Sequence, residues 1–183
     1  MVDQKELFES KRTPASIRGS ARLSGCRNYR YALWRHWNEI GSKRRFVAFI
    51  GLNPSTADEE TDDPTIRRCI GFAKSWGFNG IYMLNAFAFR ATKPVDMKKA
   101  DDPVGPENEY ALKFYTRRVD QIIAAWGAHC PEERERVVFE TINKPIFCLG
   151  KTKAGRPRHP LYLRSDTKRE LLWNLKPDER LAQ

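Results

Sequence analysis

A chain of 183 residues is one domain's worth of sequence, long enough to bury roughly 70% of its unfolded surface without a metal or disulfide scaffold. A hydrophobic share of 40% and an aromatic share of 11% exclude a disordered chain. The net charge of +10 points to a polyanionic partner, either nucleic acid or a phosphorylated small molecule.

The four cysteines (Cys26, Cys69, Cys130 and Cys148) form no C-x-x-C pair. Neither a zinc ribbon nor an iron–sulfur cluster is expected, and reduced thiols in a cytoplasm are the simplest reading. No apolar run reaches membrane-spanning length, and no secretory leader is visible. Residues 1–20 are polar and basic without a period, and read as an arm ahead of a single α/β domain over 21–183.

In chain order, residues 21–37 come first and predict a β-hairpin. Tyr29, Tyr31 and Leu33 alternate with Arg30, Ala32 and Trp34 at the period of a strand, and residues 25–28 supply the turn. The reading is an amphipathic strand at a sheet edge. Its aromatic and arginine content also fits base stacking with phosphate contact.

Residues 46–50 are an unbroken apolar run ended by Gly51, which predicts a strand buried on both faces. The backbone must then turn through Leu52, Asn53, Pro54 and Ser55. Asn53, held extended by Pro54, falls at the carboxyl end of a core strand, the rim where open α/β sheets bind ligands.

The acidic cluster Asp58, Glu59, Glu60, Asp62 and Asp63 fits a hard cation, or a solvated loop that complements a helix dipole. No second cluster of ligand residues accompanies it, so no metal is expected. Asp63 and Pro64 fit an N-cap and first helical position. Ile66, Cys69, Ile70, Ala73 and Trp76 then follow helical spacing up to Gly77.

Residues 80–89 predict a second buried strand, interrupted by Asn85. A buried amide without partners costs about 1–3 kcal/mol, so Asn85 either braces the adjoining turn or faces a ligand. A loop over 92–106 follows, then a helix opened by Pro106 with Tyr110, Ala111, Phe114 and Tyr115 inward. A third strand is expected over 120–127, a third helix over 131–142 and a fourth strand over 144–150. The next loop carries Lys151, Lys153, Arg156, Arg158 and His159. Thr167 with Glu170 fits a capping box that opens a last short helix through Leu171, Leu172 and Trp173.

This alternation predicts a three-layer α/β/α sandwich: a mainly parallel four-stranded central sheet plus an N-terminal β-hairpin. One edge of that sheet would hold Asn53, Asn85 and His159, with Trp126 after the third strand. There is no G-x-S-x-G elbow, no P-loop lysine and no glycine fingerprint for a dinucleotide, so no cofactor is expected.

Gly51, Leu52, Asn53 and Pro54 resemble the first motif of the uracil-DNA glycosylase superfamily, in the branches that carry Asn instead of a water-activating Asp. The run Tyr82, Met83, Leu84, Asn85 and Ala86 is similar to the strand whose Asn reads a flipped pyrimidine. Residues 124–128 resemble the third-strand ending, and Arg158, His159 and Pro160 resemble the second catalytic motif. More closely, Asn53 to Asp58, Asp63 to Arg68 and residues 84–87 resemble an uncharacterised bacterial and phage family, a domain of unknown function.

The superfamily resemblance implies hydrolysis of the N-glycosidic bond of a pyrimidine or modified base. His159 would donate to the base carbonyl, Asn85 would bind the base edge, and Asn53 would hold the attacking water. Gly51, Leu52, Pro54, Ser55 and Trp126 would line the base pocket. Lys151, Lys153, Arg156 and Arg158 would grip phosphates of DNA or of a nucleotide. An amide cannot accept the proton of the water, and either Asp58 or Asp63 could supply the missing carboxylate. The loop after His159 reads Pro160, Leu161, Tyr162, Leu163, Arg164, where the superfamily has a Ser-rich wedge. That difference leaves two alternatives open: a non-catalytic module that binds a modified base or nucleotide, and an enzyme that acts on free nucleosides or nucleotides.

Overall fold

The apolar run after Arg45 forms strand β3 (Phe46–Gly51), buried along its whole length. The computed structural model describes residues 17–37, 42–55 and 57–174. The other strands are β1 (Arg18–Leu23), β2 (Arg30–His36), β4 (Gly80–Asn85), β5 (Gln121–Ala124), β6 (Ile146–Cys148) and β7 (Glu170–Trp173). The helices are α1 (Pro64–Ser75), α2 (Pro94–Lys98), α3 (Asn108–Thr116) and α4 (Glu132–Ile142).

The expected four-stranded sheet is in fact seven-stranded, in the order β1-β2-β4-β3-β5-β6-β7. The middle strands β4, β3, β5 and β6 run parallel. The β1–β2 hairpin adds antiparallel to β4 on one side, and β7 adds antiparallel to β6 on the other. Strand β2 is therefore interior, not an edge, with β1 on one side and β4 on the other, and five of its seven residues are buried. Of the expected basic arm, residues 1–16 lie outside the described residues, and residues 18–20 open β1.

Strand alternation gives the sheet two cores. Val47, Phe49, Ile81, Met83 and Ile123 face α1, where Ile66, Cys69, Phe72 and Ala73 close the layer. Phe46, Ala48, Ile50, Leu84 and Ile122 face α3 and α4, through Leu112, Tyr115, Val138 and Ile142. Fully burying a side chain such as Phe49 or Ile50 contributes about 1.5–3 kcal/mol. Helix α1 begins where Asp63 Oδ1 accepts from the Ile66 N–H at 2.8 Å, and ends before Gly77, which takes a positive φ of 75°.

Several boundaries differ from the sequence reading. The 167–173 segment is not a helix: Glu170–Trp173 forms β7, and Thr167 Oγ1 donates to the Arg164 carbonyl instead of capping. Four residues cannot sustain a helix alone. The open edge of β6 offers them backbone partners, and Trp173 stacks on Phe139 with ring centroids 5.4 Å apart. The second strand stops at Asn85, and beyond it Ala86 and Phe87 donate to the Gly51 and Leu52 carbonyls at the end of β3. The third strand covers only Gln121–Ala124 and the fourth only Ile146–Cys148. The 92–106 loop contains α2, anchored by buried Met97. Helix α3 starts at Asn108, and Tyr110 lies outward, 58% exposed.

Candidate functional site

The first crossover, β3 to β4, covers the sheet face packed by α1. The next, from β4 to β5, covers the face packed by α3. The chain reverses its winding around β3, and a crevice opens at the carboxyl ends of the strands. A cleft of about 610 Å³ lies there. Asn53, Asn85 and His159, from three distant segments, all line it. So do Gly51, Leu52 and Ser55 of the β3 turn; Pro54 is buried behind them and is not a lining residue.

Asn85 is 2% exposed, and its Nδ2 has no partner among the described residues. Its backbone carbonyl is bound by Asn108 Nδ2 at 3.1 Å, so the main chain is braced while the side-chain amide is left open. Gly51 pairs with Asn85 across β3 and β4 and gives that amide its room.

Asn53 is oriented by its own turn. Its Nδ2 donates to the Ala91 carbonyl at 2.7 Å and to the Pro54 carbonyl at 3.1 Å. Both partners are acceptors, which assigns the NH₂ to that side and leaves Oδ1 for the cleft.

His159 starts a 3₁₀ turn (Pro160–Tyr162), and its Nδ1 accepts from the Leu161 N–H at 3.3 Å. The proton of the neutral ring then resides on Nε2. Burial pulls the imidazole below its ordinary value, and the nearby Asp63 carboxylate opposes that shift without reversing it.

Asp63 also lines the cleft. Of the two candidate carboxylates it is the one that lines the cleft. Asp58 is absent from the lining, and its Oδ1 accepts from the Glu60 and Thr61 N–H groups. The rest of the acidic cluster disperses: Asp62 pairs with Arg35 at 2.9 Å in the interior, and Glu59 takes both Nη groups of Arg27 at 3.1 Å.

The basic loop divides likewise. Arg158 is exposed and lines the cleft, and Lys153 is exposed in the turn. Lys151 Nζ donates to the Leu171 carbonyl at 2.9 Å, and Arg156 holds Glu135 at 3.1 Å together with the Cys130 carbonyl. These two side chains fasten the loop to β7 and α4. Trp126 borders the cleft while its indole is committed inward: Nε1 donates to Glu135 Oε1 at 3.0 Å and the ring packs on Phe139.

Sequence reasoning did not single out Arg30 or Tyr162. Arg30 opens β2, is 2% exposed and lines the cleft. An arginine at the start of a mostly apolar strand, one of two in β2, was its only signal. Tyr162, 79% exposed, stands at the cleft beside His159, with ring centroids 5.7 Å apart.

Among the described residues no group of His, Cys, Asp and Glu could hold a metal ion. No helix among them is long and apolar enough to cross a membrane.

Fold and cleft define a three-layer α/β protein with a crevice at the carboxyl edge of its parallel strands. The chain belongs to the family described as Protein of unknown function (DUF1643), whose model matches residues 30–161. That span includes Arg30, Asn53, Asp63, Asn85 and His159. No curated protein and no solved structure matches the chain.

Proposed function

We propose that the cleft receives a pyrimidine or modified base and hydrolyses its N-glycosidic bond, as the resemblance to uracil-DNA glycosylases implies. The observation that carries this reading is the meeting of Asn53, Asp63, Asn85 and His159 in one cleft, with a buried Asn85 amide left unpartnered. A planar base edge supplies the acceptor that amide lacks.

In the proposed reaction the oxygen of water bonds to C1′ of the sugar as the C1′–N bond breaks. The electron pair leaves with the base. Asn53 Oδ1 accepts one hydrogen bond from the water and orients it, and Asp63 takes the proton. His159 Nε2–H donates to the base carbonyl, where negative charge gathers. The base then takes up a proton, leaving an abasic sugar. A neutral imidazole can fill this role, because Nδ1 accepts from the Leu161 N–H and leaves Nε2–H as the donor.

The test is cleavage of single- and double-stranded oligonucleotides that carry uracil, mismatched thymine or modified pyrimidines, read as alkali-labile abasic sites. His159→Ala should cost about 10²–10³ in rate. Absence of abasic product from every substrate would remove the glycosylase reading.

A second reading, nucleotide binding without cleavage, is favoured by one detail. The Nδ2 of Asn53 is spent on two backbone carbonyls, so the residue braces its turn whether or not a water is present. Mononucleotide binding without any cleavage would select it.

A further inference from the structure

Strand β2 sends two arginines into the interior, and only one is complete. Arg35 donates from Nε to Asp62 Oδ1 at 2.9 Å, from Nη2 to the Asp58 carbonyl at 2.7 Å and from Nη1 to the Trp34 carbonyl at 3.0 Å. Arg30 is as deeply buried, yet among the described residues it makes one side-chain hydrogen bond, from Nη1 to the Ala57 carbonyl at 2.7 Å. Its Nε has no partner among the described residues, and none of their carboxylates forms an ion pair with it.

A guanidinium carries five N–H donors, and a buried cation left unpaired is strongly unfavourable. Burial lowers the pKa of Arg30 to about 10, so it is still a cation at neutral pH. The side chain, though buried, lines the cleft. The charges that line the cleft are Arg30 and Arg158 against Asp63 alone. Asp63 offsets Arg30 from a distance without pairing, and its Oδ1 is held by the Ile66 N–H. Two cations against one carboxylate leave the cleft short of one negative charge. Its volume is that of a small-molecule site of nucleotide size.

We propose that Arg30 is an anion anchor, and that the ligand of the cleft is phosphorylated: a phosphate oxygen meets Arg30 while the planar base meets Asn85. The base half rests on the proposed function; the phosphate half stands on Arg30 alone. The phosphate can belong to a free nucleotide or to the backbone of a nucleic acid, and the same chemistry binds both.

The test is isothermal titration of the whole protein with inorganic phosphate, deoxyuridine, deoxyuridine 5′-monophosphate and a deoxyuridine trinucleotide. The monophosphate or the trinucleotide should bind at least tenfold more tightly than the nucleoside, and inorganic phosphate should compete. Tighter binding of the monophosphate identifies a free nucleotide, and tighter binding of the trinucleotide identifies a backbone phosphate. Arg30→Gln should erase the preference. In the wild-type protein the Nε–H resonance of Arg30 should shift as inorganic phosphate is added, a readout that needs no folded variant. An unmoved resonance, or a phosphate preference retained in Arg30→Gln, overturns the anchor. Phosphate binding without any nucleoside binding would sink only the base reading.

Discussion

Gly51 stands opposite Asn85 in the parallel register of β3 and β4, and a β-carbon on Gly51 would come within 2.9 Å of Asn85 Oδ1. The collision would push the amide out of place. Gly51→Ala should lower stability by about 1–3 kcal/mol through overpacking and abolish ligand binding. Gly71 is the control, because nothing lies within 4 Å of its missing β-carbon on α1. Gly71→Ala should raise stability by about 0.5–1 kcal/mol and leave binding alone. Urea midpoints and a ligand titration of both variants check the contrast.

Asn53 looks improvable, since a carboxylate is a better base than an amide. The structure argues the reverse. An Asp at this position would set its oxygens against the Ala91 and Pro54 carbonyls, where the Nδ2 now donates at 2.7 and 3.1 Å. Asn53→Asp should therefore cost about 1–3 kcal/mol in stability and lower activity. A variant as stable as wild type with a faster rate would contradict the bracing role.

The helical stripe of α1 and the apolar runs of β3 and β4 were legible because each element's period is local. Asp63 and Pro64 announced the start of α1 for the same reason. The seventh strand was not legible. Leu171, Leu172 and Trp173 carry no period over so few residues, and their state is decided by the free edge of β6. The rim position of Asn53, Asn85 and His159 followed from strand order alone. Their internal bonds did not, because Ala91 and Leu161 are remote from any pattern a sequence displays. Arg30 was hidden because charge buried by tertiary contact looks the same in sequence as charge on a surface.

Asp63 serves the helix and the cleft with the same carboxylate, and the two duties can be separated. Asparagine caps a helix about as well as aspartate, whereas alanine costs about 1 kcal/mol. Asp63→Asn should keep stability within about 0.5 kcal/mol of wild type, yet lose about 10²–10⁴ in cleavage rate by removing the proton acceptor of the proposed reaction. Asp63→Ala should lose both. Thermal melts and abasic-site formation, measured on the same preparations, distinguish the outcomes.

His159 makes the stability of the protein depend on pH. Its ordinary value is 6.5, and burial lowers it in the folded protein. Below pH 6.5 the unfolded chain takes up a proton that the folded chain still refuses. The unfolded state then binds more protons, so stability falls as pH drops from 6.5 through the folded value. Above 6.5 both states are neutral and the full stability is present. His159→Gln should flatten the curve of unfolding free energy between pH 7 and 5, with His36 and His129 common to both proteins. The charge of Asp63 pushes the other way, favouring the imidazolium. Asp63→Asn should therefore move the His159 midpoint further down, which an NMR titration of the ring carbon-bound protons would follow. An upward movement would mean that Asp63 and His159 do not share the cleft as the geometry has them.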